Sequence, residues 1–178
     1  GRALDWKGLH LFLEALEKIK IDKTKIKVQL IGIRNTGEKL KTLGWIKQYS
    51  LSNCVEVIDF MPRFDLLKIL ESANLFVYPA FRDSGSMAVL EASALWCPSL
   101  CFNVGGQDAF PDDCVIKVPV VRGDYQSTVQ NFISKLEWVF QNSDRVAEIG
   151  QRAKTFVYSE MTWDKKADII TEYYNEIL

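Results

Sequence analysis

Two cations and a glycine open the chain at a spacing that suits an anionic ligand. Arg2 and Lys7 lie five positions apart, and Gly8 precedes an apolar segment with helical spacing. Arginine offers a planar fork of donors for phosphate oxygens, and lysine offers a mobile point charge. Taken alone, the segment fits a solvated terminus better than a binding site, so its meaning depends on the segments that follow.

A turn of small residues, 83–86, stands between a predicted strand and a predicted helix. Backbone amides at such a helix start face an anion, and the helix dipole reinforces them. Asp83 lies in the turn and Glu91 about two helical turns later, so both carboxylates can reach one cleft. Glu91 has apolar neighbours, where an unpaired carboxylate is costly, and this favours a ligand-binding role. The alternative is that Asp83 or Ser84 only caps the helix and Glu91 is exposed.

A pair of glycines, Gly105 and Gly106, follows another predicted strand. Paired glycines allow a backbone to approach a ligand closely. A plain loop accounts for them equally well, so this segment is the weakest of the three.

The periodicity of apolar residues predicts strands that alternate with helices. Such an order requires crossover connections and a mostly parallel sheet covered on both faces, whose ligands bind at the carboxyl ends of the strands. The length of 178 residues fits one domain. The predicted strands are 27–33, 55–60, 75–78, 99–102 and 115–118, and the predicted helices are 7–20, 36–50, 65–72, 86–96, 125–141, 144–158 and 163–178.

Composition excludes several classes of function. The net charge of -1 gives no electrostatic reason to expect nucleic acid as a partner. The apolar runs are too short to cross a bilayer. The four cysteines form no CxxC pair and His10 is the one histidine, so metal-ligand spacing is missing and we expect buried, reduced thiols. This pattern suits a cytoplasmic protein.

Together the three segments resemble a known family, the retaining family 4 glycosyltransferases of the GT-B fold. The family's C-terminal domain opens with a Gly-Arg-Leu…Lys-Gly stretch, matched here by 1–8 with Ala3 displacing the leucine. Its signature of two glutamates with seven residues between them is matched by Asp83 and Glu91, with an aspartate in the first place. Ser86 stands where a glycine often occurs, and the Gly105–Gly106 loop follows as in the family. The resemblance covers nearly the whole chain.

The resemblance implies an α/β fold, a Rossmann-like three-layer sandwich with a mostly parallel sheet and helices on both faces, which is the C-terminal half of a GT-B enzyme. Residues 1–178 would form a single nucleotide-sugar-binding domain, and the N-terminal acceptor domain would lie outside them.

The resemblance also implies roles for matching positions. Arg2 and Lys7 would bind the donor diphosphate and stabilise its charge as it departs, and Asp83 would contact hydroxyls of the transferred sugar; these are the expected catalytic residues. Glu91 would accept hydrogen bonds from the ribose, the amides of 84–87 would hold a phosphate, and Gly32 and Arg63 would lie near the base. The expected donor-binding residues are Gly32, Arg63, Ser84, Gly85, Ser86, Met87, Glu91, Gly105 and Gly106.

For the full protein, the resemblance implies transfer of a sugar from a nucleotide-diphosphate sugar to a glycan or lipid-linked acceptor in polysaccharide or lipopolysaccharide biosynthesis. Anomeric configuration would be retained, with neither a metal nor a cofactor, in the cytoplasm or peripherally at the inner face of the membrane. The isolated domain would be inactive, because the cleft needs both halves. Two alternatives remain: a nucleotide-sugar epimerase of GT-B type, and a non-catalytic nucleotide-binding or interaction module.

Overall fold

The computed structural model describes residues 5–177, and its strands and helices alternate as expected. Connections of this kind impose parallel pairing, and every strand pair is parallel. The strands are β1 Val28–Ile31, β2 Val55–Ile58, β3 Phe76–Tyr78, β4 Ser99–Phe102 and β5 Ile116–Val118. The helices are α1 Leu9–Lys18, α2 Thr36–Gln48, α3 Arg63–Ser72, α4 Met87–Ala94, α5 Tyr125–Gln141, α6 Ser143–Glu160 and α7 Trp163–Ile177.

Hydrogen bonds group the strands into two sheets rather than a single continuous one. β1 pairs with β2 in one sheet, and the other has the order β3-β4-β5. Side chains from both sheets nevertheless enter the same large core cluster, including Leu30 from β1 and Leu100 from β4. Within residues 5–177 the two sheets are therefore joined by side-chain packing and not by a hydrogen-bonded ladder.

The fully buried strand β4 shows how the layers are arranged. Leu100 and Phe102 point into the core shared with α1 and α5, whereas Cys101 points into a separate cluster with Val89 of α4. Successive side chains of a strand point to opposite faces, so helices cover both faces of this sheet. The expected α/β sandwich with helices on both faces is thereby confirmed.

Helix α4 follows the turn that we single out from the sequence, so its packing positions that turn. α4 lies against α6, where Gly150 allows close approach: a Cβ at this position would lie 2.3 Å from the carbonyl oxygen of Trp96. The interface thus depends on the absence of a side chain at Gly150.

The last helix, α7, differs from the others because none of its described residues is buried. Trp163 is 82% exposed, and Ile170, Tyr173 and Tyr174 are exposed as well. The aromatic residues of α7 therefore do not pack into the core of residues 5–177. No described helix combines the length and apolarity needed to traverse a bilayer.

Two helical glycines provide a test of the α4–α6 contact. Gly150→Ala should lower the free energy of unfolding by about 1–3 kcal/mol, because the new methyl group overlaps the Trp96 carbonyl. Gly44→Ala in α2, where no atom lies within 4 Å of the added Cβ, should raise it by about 0.5–1 kcal/mol through helix propensity. Denaturant titration of both variants measures this; equal effects of the two substitutions would contradict the packing.

Candidate functional site

A hydrogen-bonded cluster joins three parts of the chain at the carboxyl end of β3. Lys7 Nζ donates to the hydroxyl of Tyr78 at 2.6 Å and lies 3.0 Å from Asp83 Oδ2. The Tyr78 hydroxyl donates to the same carboxylate oxygen. The Lys7 and Asp83 side chains are 30% and 17% exposed, so solvent screens their ion pair only partly. Two of the three expected catalytic residues therefore lie together, and the third, Arg2, lies outside the described residues.

The second oxygen of Asp83 binds the turn that follows it. Asp83 Oδ1 accepts hydrogen bonds from the amides of Gly85 at 3.1 Å and Ser86 at 2.8 Å. Burial alone would raise the pKa of Asp83, but the hydrogen bonds from Tyr78, the Ser86 amide and Lys7 outweigh it and hold this pKa well below its usual value. Asp83 is therefore ionised at physiological pH.

Lys7 is charged for a related reason. Burial would lower the pKa of Lys7, but hydrogen bonds to Tyr78 and Asp83 more than compensate and raise this pKa above its ordinary value. The cluster is thus an ammonium–carboxylate pair bridged by a phenol hydroxyl.

Gly8 brings Lys7 to this position by allowing a close backbone approach. Its φ is +66°, and a Cβ there would lie 1.9 Å from the carbonyl oxygen of Pro79. The amide of Phe81 donates to the carbonyl of Trp6 at 2.8 Å on the same segment. Glycine is required at position 8, and residues 6–8 are held beside the chain that leaves β3.

The Gly105–Gly106 pair contacts the backbone of the 83–86 turn. A Cβ on Gly105 would lie 2.1 Å from the Asp83 carbonyl oxygen, and one on Gly106 would lie 2.8 Å from that of Ser84. The Gly106 amide donates to the Asp83 carbonyl at 3.0 Å. The sequence predicts that this glycine pair approaches a ligand; in the structure, the close approach is to the backbone of the turn.

Two buried polar side chains, those of Ser86 and Gln107, adjoin this contact. Ser86 is 1% exposed and has a left-handed backbone with φ +46°, and Gln107 is fully buried. Neither the Ser86 hydroxyl nor the Gln107 amide group has a hydrogen-bond partner among residues 5–177. Buried polar groups usually find partners, so the turn retains hydrogen-bonding capacity for a water or ligand atom.

Glu91 and Arg63 form a second charged pair. Glu91 lies on α4, and its Oε1 accepts a hydrogen bond from Arg63 Nη2, at the start of α3, at 2.5 Å. The Arg63 side chain is 70% exposed and that of Glu91 is 32% exposed. The carboxylate is therefore paired but remains accessible from solvent.

A cleft of about 520 Å³ opens at the carboxyl ends of β1 and β2. Gly32, with φ +90°, lines it, and the Arg34 guanidinium lies 4.2 Å from the centre of the Phe60 ring on its edge. Met61 and Leu66, on either side of Arg63 in the sequence, complete its wall. Gly32 thus borders a space large enough for a small planar group.

Acidic residues elsewhere do not assemble into a metal centre within residues 5–177, where no group of three potential ligands occurs. The adjacent Asp112 and Asp113 are each engaged by a cation: Lys117 lies 2.8 Å from Asp112 and Arg152 lies 3.6 Å from Asp113. This pair therefore neutralises local basic residues.

Tyr78 is the residue of the cluster that sequence reasoning missed. The sequence pattern indicates only that Tyr78 is the last apolar residue of a strand. Its position directly before Pro79, at the ligand-binding edge of the sheet, could have identified it as a site residue. Gln107 was also missed, since a glutamine in a loop gives no sign of complete burial. The structure does not bring Gly32 into hydrogen-bond contact with the Lys7–Asp83 cluster; it lines the separate cleft.

Comparison with known proteins supplies the family. Residues 1–156 match the model of a family described as glycosyl transferases group 1. The putative colanic acid biosynthesis glycosyltransferase WcaL of Salmonella typhimurium is 30% identical over 104 residues, which are 55% of this chain and 25% of that protein.

Solved structures agree on the fold. A sucrose-phosphate synthase from Thermosynechococcus elongatus superposes with a TM-score of 0.81 at 18% identity over 99% of this chain and 44% of that one. HepE from Anabaena, in complex with UDP and glucose, superposes with a TM-score of 0.80 at 16% identity over 99% of this chain and 47% of that one.

The chain spans less than half the length of each of these three proteins. Its fold is the Rossmann-like C-terminal domain of GT-B glycosyltransferases, as the resemblance implied. With most of its length matched by the family model, the chain belongs to the group 1 glycosyl transferase family.

Proposed function

We propose that this chain is the donor-binding domain of a retaining glycosyltransferase that uses a nucleotide-diphosphate sugar. The observation that carries the proposal is the contact of Lys7 with Asp83, in the turn directly before α4 and at the carboxyl end of β3. A cation beside a helix start is an arrangement suited to a diphosphate. HepE, which has the same fold, is in complex with UDP and glucose, and this supports a uridine or related nucleotide.

In this proposal the bond between the anomeric carbon and the diphosphate oxygen breaks, and a bond to an acceptor hydroxyl oxygen forms. The proton of that hydroxyl passes to the departing diphosphate. Negative charge grows on the departing diphosphate. Lys7 and Arg2 stabilise this charge, together with the amides at the start of α4, and neither a metal nor a cofactor takes part. The attraction between the Lys7 ammonium and the diphosphate is strengthened because Lys7 is partly shielded from solvent.

The nucleoside occupies the other half of the same edge. Glu91 accepts hydrogen bonds from the ribose hydroxyls, and its exposed fraction of 32% leaves it accessible while it is paired with Arg63. The base enters the cleft lined by Gly32 and Phe60, where an aromatic ring provides a stacking surface. The turn 84–87 and the Gly105–Gly106 loop complete the donor site between these two halves.

The acceptor and the cellular setting belong to the whole protein. A second, N-terminal domain supplies the acceptor site and closes the cleft on a glycan or lipid-linked acceptor. WcaL is described as a putative colanic acid biosynthesis glycosyltransferase, and this supports a role in polysaccharide assembly. We place that assembly in the cytoplasm, at the inner face of the membrane.

Replacing the cluster lysine tests the diphosphate role. In the whole protein, Lys7→Ala should weaken binding of UDP, GDP or ADP by about 1.5–3 kcal/mol, because a charge-assisted contact is lost, and should leave nucleoside binding unchanged. Calorimetric titration with each nucleotide and its nucleoside measures the difference.

Lys27→Ala is the matched control, since this lysine is 74% exposed, pairs with Glu56, and precedes the amino end of β1. Equal losses for nucleosides and diphosphates in Lys7→Ala would contradict the phosphate role. If the unaltered whole protein binds none of the three nucleotides, the chain is a non-catalytic module.

Replacing the helix acid tests the ribose role. Glu91→Ala should weaken nucleoside and nucleotide binding alike, by about tenfold, because the lost hydrogen bonds lie on the ribose that both ligands share. Glu148→Ala, which also removes a glutamate paired with an arginine on a helix, should change neither affinity. A Glu91→Ala protein that loses diphosphate binding but keeps nucleoside binding would overturn the assignment.

The 178-residue chain alone should show no transferase turnover with UDP-, GDP- or ADP-hexoses, because a single domain neither orients an acceptor nor excludes water. Release of nucleotide from each donor, measured beside the whole protein, checks this. Turnover by the isolated chain at the rate of the whole protein would contradict it.

A further inference from the structure

The Asp83 carboxylate has no hydrogen-bonding position left for a sugar hydroxyl. An ionised carboxylate offers about four lone-pair sites. Tyr78 and Lys7 occupy Oδ2, and the amides of Gly85 and Ser86 occupy Oδ1. A sugar hydroxyl that donates to Asp83 would have to displace one of these four donors.

The Asp83 side chain has the length needed for hydrogen bonds within its own turn and not for contact with a more distant ligand. Asp83 accepts from the amides two and three residues ahead of it, which is the local bonding that short Asp and Asn side chains make. A glutamate is one methylene longer, so its carboxylate lies beyond these amides. The aspartate in the first place of the acid pair is thus the residue type that anchors this turn.

Tyr78 connects the turn to the cation. Its hydroxyl accepts from Lys7 at 2.6 Å and donates to Asp83, so its position sets the position of both charged groups. The ring is in turn held against Phe76, with ring centres 5.8 Å apart, and by the apolar cluster that contains Val89 of α4. A strand residue of fixed orientation therefore determines where the Lys7 ammonium lies.

We propose that Asp83 and Tyr78 are positioning residues of the donor site, which fix the 83–86 turn and the Lys7 ammonium, and that neither contacts the transferred sugar. This rests on the proposed function for its ligand, a nucleoside diphosphate. Its structural part, the anchoring of the turn, stands on the hydrogen bonds of Asp83 alone.

Two substitutions of Asp83 distinguish anchoring from sugar contact by the order of their effects. In the whole protein, Asp83→Asn loses the ion pair with Lys7 but keeps an oxygen that accepts from the Gly85 and Ser86 amides, so affinity for UDP, GDP or ADP should fall by less than about tenfold. Asp83→Glu loses those bonds, and affinity should fall about tenfold or more. Each nucleotide and its hexose conjugate should be affected equally.

The opposite order overturns the proposal. If Asp83 contacts the sugar, Asp83→Glu retains affinity for the hexose conjugate and Asp83→Asn loses it, while free diphosphates bind both variants normally. Asp22→Ala is the matched control: Asp22 accepts from the Thr24 amide in a similar local turn before β1, so its loss should leave nucleotide affinity unchanged.

A double-mutant cycle tests Tyr78. Tyr78→Phe removes only the hydroxyl and should weaken diphosphate binding about threefold to tenfold, with nucleoside binding unchanged. In Lys7→Ala the same substitution should have a smaller effect than in the unaltered protein, because Tyr78 acts largely through Lys7. Additive losses in the double variant would show an independent role for Tyr78 and overturn its assignment.

Amide hydrogen exchange separates this proposal from the proposed function. Exchange at Gly85 and Ser86 should be accelerated in Asp83→Glu and near normal in Asp83→Asn, whether or not any nucleotide binds. Unchanged exchange in both variants would refute the anchoring. If exchange behaves as expected but the unaltered protein binds no nucleotide, the proposed function fails and the anchoring stands.

Discussion

The hydrogen bonds of the Asp83 carboxylate are the interactions on which the rest of the site depends. The carboxylate is bonded to Lys7 near the start of the described chain, to Tyr78 at the end of β3, and to the amides that lead into α4. A charged group with several donors in a partly shielded position contributes more than a neutral hydrogen bond does. These contacts tie segments more than seventy residues apart in sequence into one edge of the sheet.

The glycines at this edge matter because backbones meet there. Gly8 approaches the Pro79 carbonyl, and Gly105 approaches the Asp83 carbonyl, each at a distance that a side chain would not permit. Both have positive φ, which β-carbon-bearing residues adopt only with strain. The turn after β3 is therefore held from two sides, and its conformation is set by sterics as well as by the Asp83 carboxylate.

The order of elements was predictable from the sequence because apolar periodicity is a local property. The expected helix at 125–141 matches α5, and the five strands lie within two residues of their expected bounds. The pairing of charges was less predictable: Lys7 with Asp83 and Arg63 with Glu91 depend on crossover geometry that no local pattern encodes. The role of Tyr78 was not predicted because an apolar strand pattern indicates which residues are buried and not where a tyrosine hydroxyl points.

Charge balance limits how a diphosphate can enter this site. Two cations at this edge are already paired with carboxylates, Lys7 with Asp83 and Arg63 with Glu91. A diphosphate that bound without rearrangement would add negative charge beside the ionised Asp83 carboxylate. The Asp83 carboxylate already lies at the amino end of α4, so favourable potential must come from the other amides of this turn and from cations outside these two pairs. Because Asp83 is ionised and fully bonded, the Lys7 ammonium can turn toward a phosphate only while Tyr78 and the turn amides keep that carboxylate satisfied.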